Sequence, residues 1–278
     1  MKTAWFVGMM ALLAVPARAS VPGWWEVLHG SLQEGGYVVA RVPGGAHVTL
    51  DGKPLWVAKD GLLVAGFDRN SPPRHTVEVC KDGGACRTVL LDVVKRTYVT
   101  QNLTHVPPKT VEPGPEELKR MKADYAAKDA ARAAAVRGKA DSEAFAHLFR
   151  RPVKGGETSS VFGSRRTYNG EERSWHNGYD FAVPEGTPVY APAAGTVRLA
   201  RGTFMSGNLI MLDHGGEVTS VYAHLSKMSV KAGQKVEAGQ MIGRVGTTGR
   251  STGPHLHWGI YWKSTPLDPI LWVSNNGG

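Results

Sequence analysis

Four histidines and one aspartate stand beside residues that read as strand. His176 and Asp180 lie in Trp175-His176-Asn177-Gly178-Tyr179-Asp180-Phe181, His224 in Val221-Tyr222-Ala223-His224-Leu225, and His255 and His257 in Gly253-Pro254-His255-Leu256-His257. Strand side chains return to one face at every second residue, so His255 and His257 point the same way, about 7 Å apart along the chain. His176 and Asp180 have helical spacing. Asn177-Gly178 is a turn pair, however, and Phe181-Ala182-Val183 runs into Pro184. A loop carrying His176 into a short strand carrying Asp180 is the better reading. Two neutral imidazoles and a carboxylate, with a fourth position for water, make a catalytic zinc shell, in which bound water has a pKa near about 7. A lone histidine is ordinarily not a ligand; it is the ordered set that carries the reading.

The rest of the chain has to position and deliver that set. Its 278 residues suffice for one or two domains. A chain with 42% hydrophobic and 21% charged residues is globular in composition. A net charge of +9 favours anionic partners, whether nucleic acid, acidic lipid or a wall polymer. No nucleic-acid-binding signature is present, so no nucleic-acid partner is expected.

Lys2, an apolar run from Ala4 to Val15 and Pro16-Ala17-Arg18-Ala19 read as a signal peptide over 1–19, cut after Ala19. The run is short of the roughly 20 residues a spanning helix needs. No cysteine lies near the cut, and no other stretch is long and apolar enough to span. A periplasmic or secreted protein without a stable membrane anchor is expected. Cys80 and Cys86 flank the turn-rich Lys81-Asp82-Gly83-Gly84-Ala85, and in an exported chain a disulfide stapling that hairpin is expected.

The fold class reads as mainly β. Residues 24–100 form a small β-sandwich-like domain with the Cys80–Cys86 hairpin. Short strands such as Tyr37–Val42, His47–Leu50 and Leu62–Phe67 alternate there with Gly- and Pro-rich turns. His29, His47 and His75 are scattered through it and read as ordinary surface or half-buried residues. Residues 106–150 hold a stiff Pro-rich linker and one basic helix, from Glu116 to about Val136. Pro115 and the acids after it suit a helix start. With its thin apolar face of Leu118, Met121 and Tyr125, it should pack weakly on a neighbour or span between the two domains. Residues 151–278 read as an antiparallel β-sheet domain, with strands near 208–214, 219–224 and 257–262.

Ser160-Val161-Phe162-Gly163-Ser164-Arg165-Arg166, His176-x-x-x-Asp180, Tyr222-Ala223-His224-Leu225-Ser226 and Gly253-Pro254-His255-Leu256-His257 follow one another in this block. Together they resemble the lysostaphin-type (LytM-like) peptidoglycan metalloendopeptidases, over about Pro152 to Val273. The resemblance implies one zinc ion held by His176, Asp180 and His257. It implies that His224 and His255 line the site as general base and transition-state stabiliser, with the roles open between them. The implied substrate is the peptide stem or cross-link of peptidoglycan; a Gram-negative wall would make the protein a D,D-endopeptidase, and a glycyl-glycine specificity fits the periplasmic layout less well. Tyr222, Asn208 and Arg165 are candidates for the groove wall. Trp175, Trp258 and Trp262 read as core or groove wall rather than a sugar platform, and His214 as structural.

Two other functions compete. The family includes non-catalytic relatives, so a wall-binding protein or amidase activator with the same fold is the alternative; the filled ligand positions argue against it. Stretches such as Ala191–Val197 and Val236–Gln240 are similar to biotinyl or lipoyl carrier domains, but the first has no lysine to carry a cofactor. The N-terminal β domain has no catalytic cluster; with the basic helix it could lie over the groove and restrain it, or target the enzyme, and the sequence leaves the two open. Control by a regulatory protein partner is also open.

Overall fold

The computed structural model describes residues 20–103, 113–138, 142–168 and 171–274. The leader expected over 1–19 and the Pro-rich stretch at 106–112 lie outside the described residues.

The first half contains β1 (Glu26–Ser31), β2 (Tyr37–Arg41), β3 (His47–Leu50), β4 (Lys53–Leu55), β5 (Leu62–Gly66), β6 (Arg74–Cys80) and β7 (Cys86–Asp92). These make two antiparallel sheets, ordered β1-β2-β5 and β4-β3-β6-β7. In β6, His75, Val77 and Val79 are buried while Arg74, Thr76 and Glu78 are exposed. That is the alternation of a strand with one wet face. Cys80 and Cys86 face each other across the β6–β7 ladder and are joined by a disulfide.

Next come β8 (Thr100–Leu103) and α1 (Pro115–Arg137). The remainder comprises β9 (Glu157–Ser160), β10 (Arg165–Tyr168), β11 (Glu171–Arg173), β12 (Tyr179–Ala182), β13 (Pro188–Tyr190), β14 (Gly195–Thr203) and β15 (Gly207–Asp213). It continues with β16 (Val218–Leu225), β17 (Lys227–Met228), β18 (Lys235–Val236), β19 (Met241–Arg244), β20 (Leu256–Trp262) and β21 (Thr265–Leu267). The main sheet runs β18-β14-β15-β16-β20-β12-β9, with β21 beside β20. A second sheet is β13-β19-β17, and a third is β11-β10-β8, in which β8 lies parallel to β10.

The main sheet is buried on both faces. Ile210, Leu212, Tyr222, Trp258 and Ile260 enter the large core. Leu209, Met211, Val221, Ala223 and Tyr261 form a second cluster with Ala131 of α1. The face expected to dock the helix is not the one used: Leu118 and Tyr125 are 52% and 54% exposed. Burial falls instead on Asp124, Ala131 and Ala135. The alanines allow close approach, and polar side chains supply the anchors. Asp124 accepts from the Phe204 N–H at 2.7 Å, Lys128 donates to Ser206 Oγ at 2.9 Å, and the Arg132 guanidinium stands 4.6 Å from the Tyr261 ring centre.

One hydrophobic cluster runs through both halves of the chain. Tyr37 of β2 stacks on Trp272 with ring centroids 3.8 Å apart. A Cβ on Gly66 of β5 would come within 2.9 Å of Leu267. Arg96 donates to buried Asp268 at 2.8 Å and to the Glu34 carbonyl at 3.2 Å. The two halves are packed against each other across this seam.

Candidate metal centre and groove

Asp180 sits in β12 directly opposite His257 in β20. Facing residues of an antiparallel pair project to one side of the sheet, so the two side chains meet. The loop ahead of β12 brings His176 to the same place. His176 Nε2, Asp180 Oδ1 and His257 Nδ1 form a triangle with sides of 2.9, 3.1 and 2.8 Å. His255 lies just before β20, and His224 lies in β16 with a left-handed φ of 63°. His224, His255, His257 and Asp180 all line one groove. His257 is also opposite Ala223, so the groove opens on the sheet face that α1 covers. Among the described residues, none of α1 or β1–β7 lines it.

Hydrogen bonds set the protonation of each group. His176 Nδ1 is 2.9 Å from Ser160 Oγ and 3.2 Å from the Val161 carbonyl. A carbonyl can only accept, so Nδ1 carries the proton and Nε2 keeps a lone pair for the triangle. Burial pushes His176 down to about 4 in spite of Asp180, so its ring is neutral at pH 7. Burial would raise Asp180, but His176 and His257 outweigh it and hold the carboxyl well below the usual range. Its second oxygen, Oδ2, accepts from Arg166 Nη2 at 2.9 Å, which leaves Oδ1 for the centre. Two imidazole nitrogens and a carboxylate oxygen within reach of one point fit a divalent ion with mixed nitrogen and oxygen ligands, as zinc takes.

His224 Nδ1 donates to the Thr248 carbonyl and His255 Nδ1 to the Gly253 carbonyl, each at 2.8 Å. The two rings are 4.7 Å apart. Both therefore keep Nε2 as a lone-pair nitrogen while neutral. Burial, followed by the neighbouring His255 and His257, pushes His224 down to about 3. His255 is only half-buried.

The groove wall differs from the one expected. Tyr222 is fully buried with its hydroxyl on Ser220, and Asn208 donates to the Leu225 carbonyl. Arg165 is exposed, and the next residue, Arg166, lines the groove in its place. Adjacent strand residues face opposite ways. The pairing of β10 with β8 decides which arginine turns inward, and nothing near Arg165 in the sequence reveals that pairing. Ser160, which the sequence placed only within a motif, and Gln101, which it did not single out, also line the groove. Trp258 and Trp262 are core, Trp175 is half-buried against Phe162, and His214 is held inside between the Ala194 carbonyl and Ser220.

Residues 174–269 match Peptidase family M23, and this span contains the triangle and both further histidines. A crystal structure of a Pseudomonas aeruginosa protein assigned to peptidase M23 superposes with a TM-score of 0.66 at 31% identity, covering 87% of this chain and 95% of that one. The chain belongs to peptidase family M23. Among M23 relatives, the peptidoglycan DD-endopeptidase ShyA of Vibrio cholerae is 46% identical over 113 residues, 40% of this chain and 26% of that protein. The DD-carboxypeptidase/endopeptidase Mpg of Neisseria meningitidis is 44% identical over 95 residues, 34% of this chain and 22% of that protein. The matched M23 region thus spans only about a quarter of the length of these relatives.

Proposed function

We propose that this M23 chain is a zinc endopeptidase that hydrolyses peptide cross-links of peptidoglycan, acting as a D,D-endopeptidase outside the cytoplasm. The observation that carries the reading is the triangle of His176, Asp180 and His257 at the floor of an open groove, with two more imidazoles beside it. Zinc held there would supply Lewis-acid polarisation of the scissile carbonyl and make water more acidic. His224 and His255, each held by Nδ1 on a backbone carbonyl, present Nε2 beside the triangle, and one of them takes a proton from the attacking water. The other, once protonated, can donate to the developing oxyanion. The names of the relatives support a peptidoglycan substrate, as does the charge of +9 toward an anionic polymer. Export is supported by the Cys80–Cys86 disulfide. No described helix is long and apolar enough to cross a membrane.

The test is digestion of purified wall sacculi, with and without a zinc chelator, followed by mass analysis of the released fragments. Chelator-sensitive loss of cross-linked dimers is expected. A folded, zinc-loaded protein that releases nothing, yet binds wall or switches on an amidase, would favour the non-catalytic alternative.

A further inference from the structure

We propose that Gln101 is a positioning residue for the metal centre, delivered by the strand that leaves the N-terminal half of the chain. The inference rests on the zinc reading above and adds to it a part outside the matched M23 region. In the parallel β8–β10 ladder Gln101 is the partner of Arg166, and both side chains line the groove. Gln101 Nε2 donates to the Ser159 carbonyl at 3.2 Å, which fixes the amide so that Oε1 faces Ser160. Oε1 then accepts the Ser160 hydroxyl proton at 2.6 Å.

A serine hydroxyl has one proton, and here Gln101 takes it. Ser160 Oγ can then only accept from its other neighbours, Arg166 Nη2 and His176 Nδ1, both at 2.9 Å. That requires the Nδ1–H form of His176, the form that leaves Nε2 free to ligate. Without the Gln101 acceptor, the Ser160 hydroxyl is free to rotate and donate to His176 Nδ1. That donation competes with the Nδ1–H bond to the Val161 carbonyl at 3.2 Å and favours a proton on Nε2, toward the centre. The same rotation redirects the Ser160 lone pairs, so Arg166, which also holds Asp180 Oδ2, still has Oγ as an acceptor but in an altered direction. Gln101 touches none of the three ligands, and it acts on two of them through a single hydroxyl. The strand leaving the N-terminal half then supports the centre.

The test uses the full chain and measures zinc affinity by competition with a coloured chelator, with melting of each metal-free protein as the check on folding. Q101L keeps the bulk and removes the acceptor; zinc affinity should fall about 10- to 100-fold, the usual effect of losing a partner behind a ligand. S160A should fall by a similar factor, and Q101L added to S160A should cost nothing more, since the path runs through Ser160. Q101E keeps an acceptor oxygen and should bind zinc more tightly than Q101L. Wild-type affinity in Q101L, additive losses in the double variant, or Q101E weaker than Q101L would each overturn the inference. Faster wall digestion by Q101L at unchanged zinc affinity would overturn it as well, making Gln101 a groove blocker. A wild-type chain that takes up no zinc would instead sink the reading on which the inference stands.

Discussion

Gly178 lies against the imidazole of His257. A Cβ built on it would stand 2.6 Å from His257 Cε1, 2.8 Å from His257 Nε2 and 2.6 Å from the Trp258 carbonyl oxygen. Its φ is not in the left-handed range, so the need for glycine here is one of space. The loop that carries His176 can pass over the floor of the site only where it has no side chain.

Gly178→Ala should therefore damage the centre without touching a ligand. The methyl group has to displace the ring or the β20 backbone, and crowding of this kind costs about 1–3 kcal/mol. A shifted His257 should weaken zinc binding about 10- to 100-fold, as loss of ligand orientation generally does. Zinc titration and urea unfolding of the variant measure the two effects separately. Undiminished zinc affinity would mean that the ring has room to move.

Zinc removal should destabilise the protein. The triangle draws on β12, β20 and the loop before β12, so it exists only in the folded chain. An ion that binds only the folded state at 100 times its Kd adds about 2.7 kcal/mol. Thermal melts should shift upward with added zinc in the wild type and not in His257→Ala. An equal shift in both proteins would place the ion elsewhere.

Acid should destabilise the protein in part through His214. Burial pushes this histidine down to about 4 in the folded state, against about 6.5 when unfolded. Above pH 6.5 neither state is protonated, and the group has no effect. As the pH falls from 6.5 toward 4, the unfolded chain takes up a proton that the folded chain refuses, so stability declines. The loss at pH 5 is about 2 kcal/mol, rising to about 3 kcal/mol below pH 4. His214→Gln can keep both hydrogen-bonding ends and does not titrate. Denaturant unfolding at pH 7.5 and pH 5 should show a drop about 2 kcal/mol smaller in the variant than in the wild type. Identical drops would remove His214 from the acid response.

Much of the C-terminal sheet and the convergence of its histidines was legible because strand periodicity is short-range. His176, Asp180, His224, His255 and His257 could be placed on strands and loops from their neighbours alone. The groove wall was not legible in the same way. Arg166, Ser160 and Gln101 meet because β8 pairs with β10, a contact between segments more than 60 residues apart whose register no local pattern encodes. The helix was found, but its docking face was misjudged. An apolar stripe is the usual signal of a buried face, and α1 instead docks through alanines, a buried aspartate and two cations. The packed seam between the halves was hidden for a related reason. Tyr37, Gly66 and Arg96 read as ordinary strand and loop residues until their partners are known.

The anchoring of α1 reaches His224 through one loop. Asp124 accepts from the Phe204 N–H at 2.7 Å, Lys128 holds Ser206 Oγ at 2.9 Å, and the Ser206 carbonyl accepts from the His224 N–H at 2.9 Å. His224 sits in the left-handed region, a conformation that costs a non-glycine residue about 1–2 kcal/mol and needs such support. Asp124→Ala leaves the Phe204 N–H without its acceptor, and losing one partner of a buried hydrogen bond costs about 1–3 kcal/mol. With the loop slackened, His224 should sample other orientations, so kcat on wall substrate should fall several-fold while zinc affinity holds, because none of the three ligands lies on that loop. Asp124→Asn keeps an acceptor oxygen and should recover most of the rate. A variant that loses zinc affinity along with kcat would show that α1 supports the sheet as a whole rather than the setting of His224.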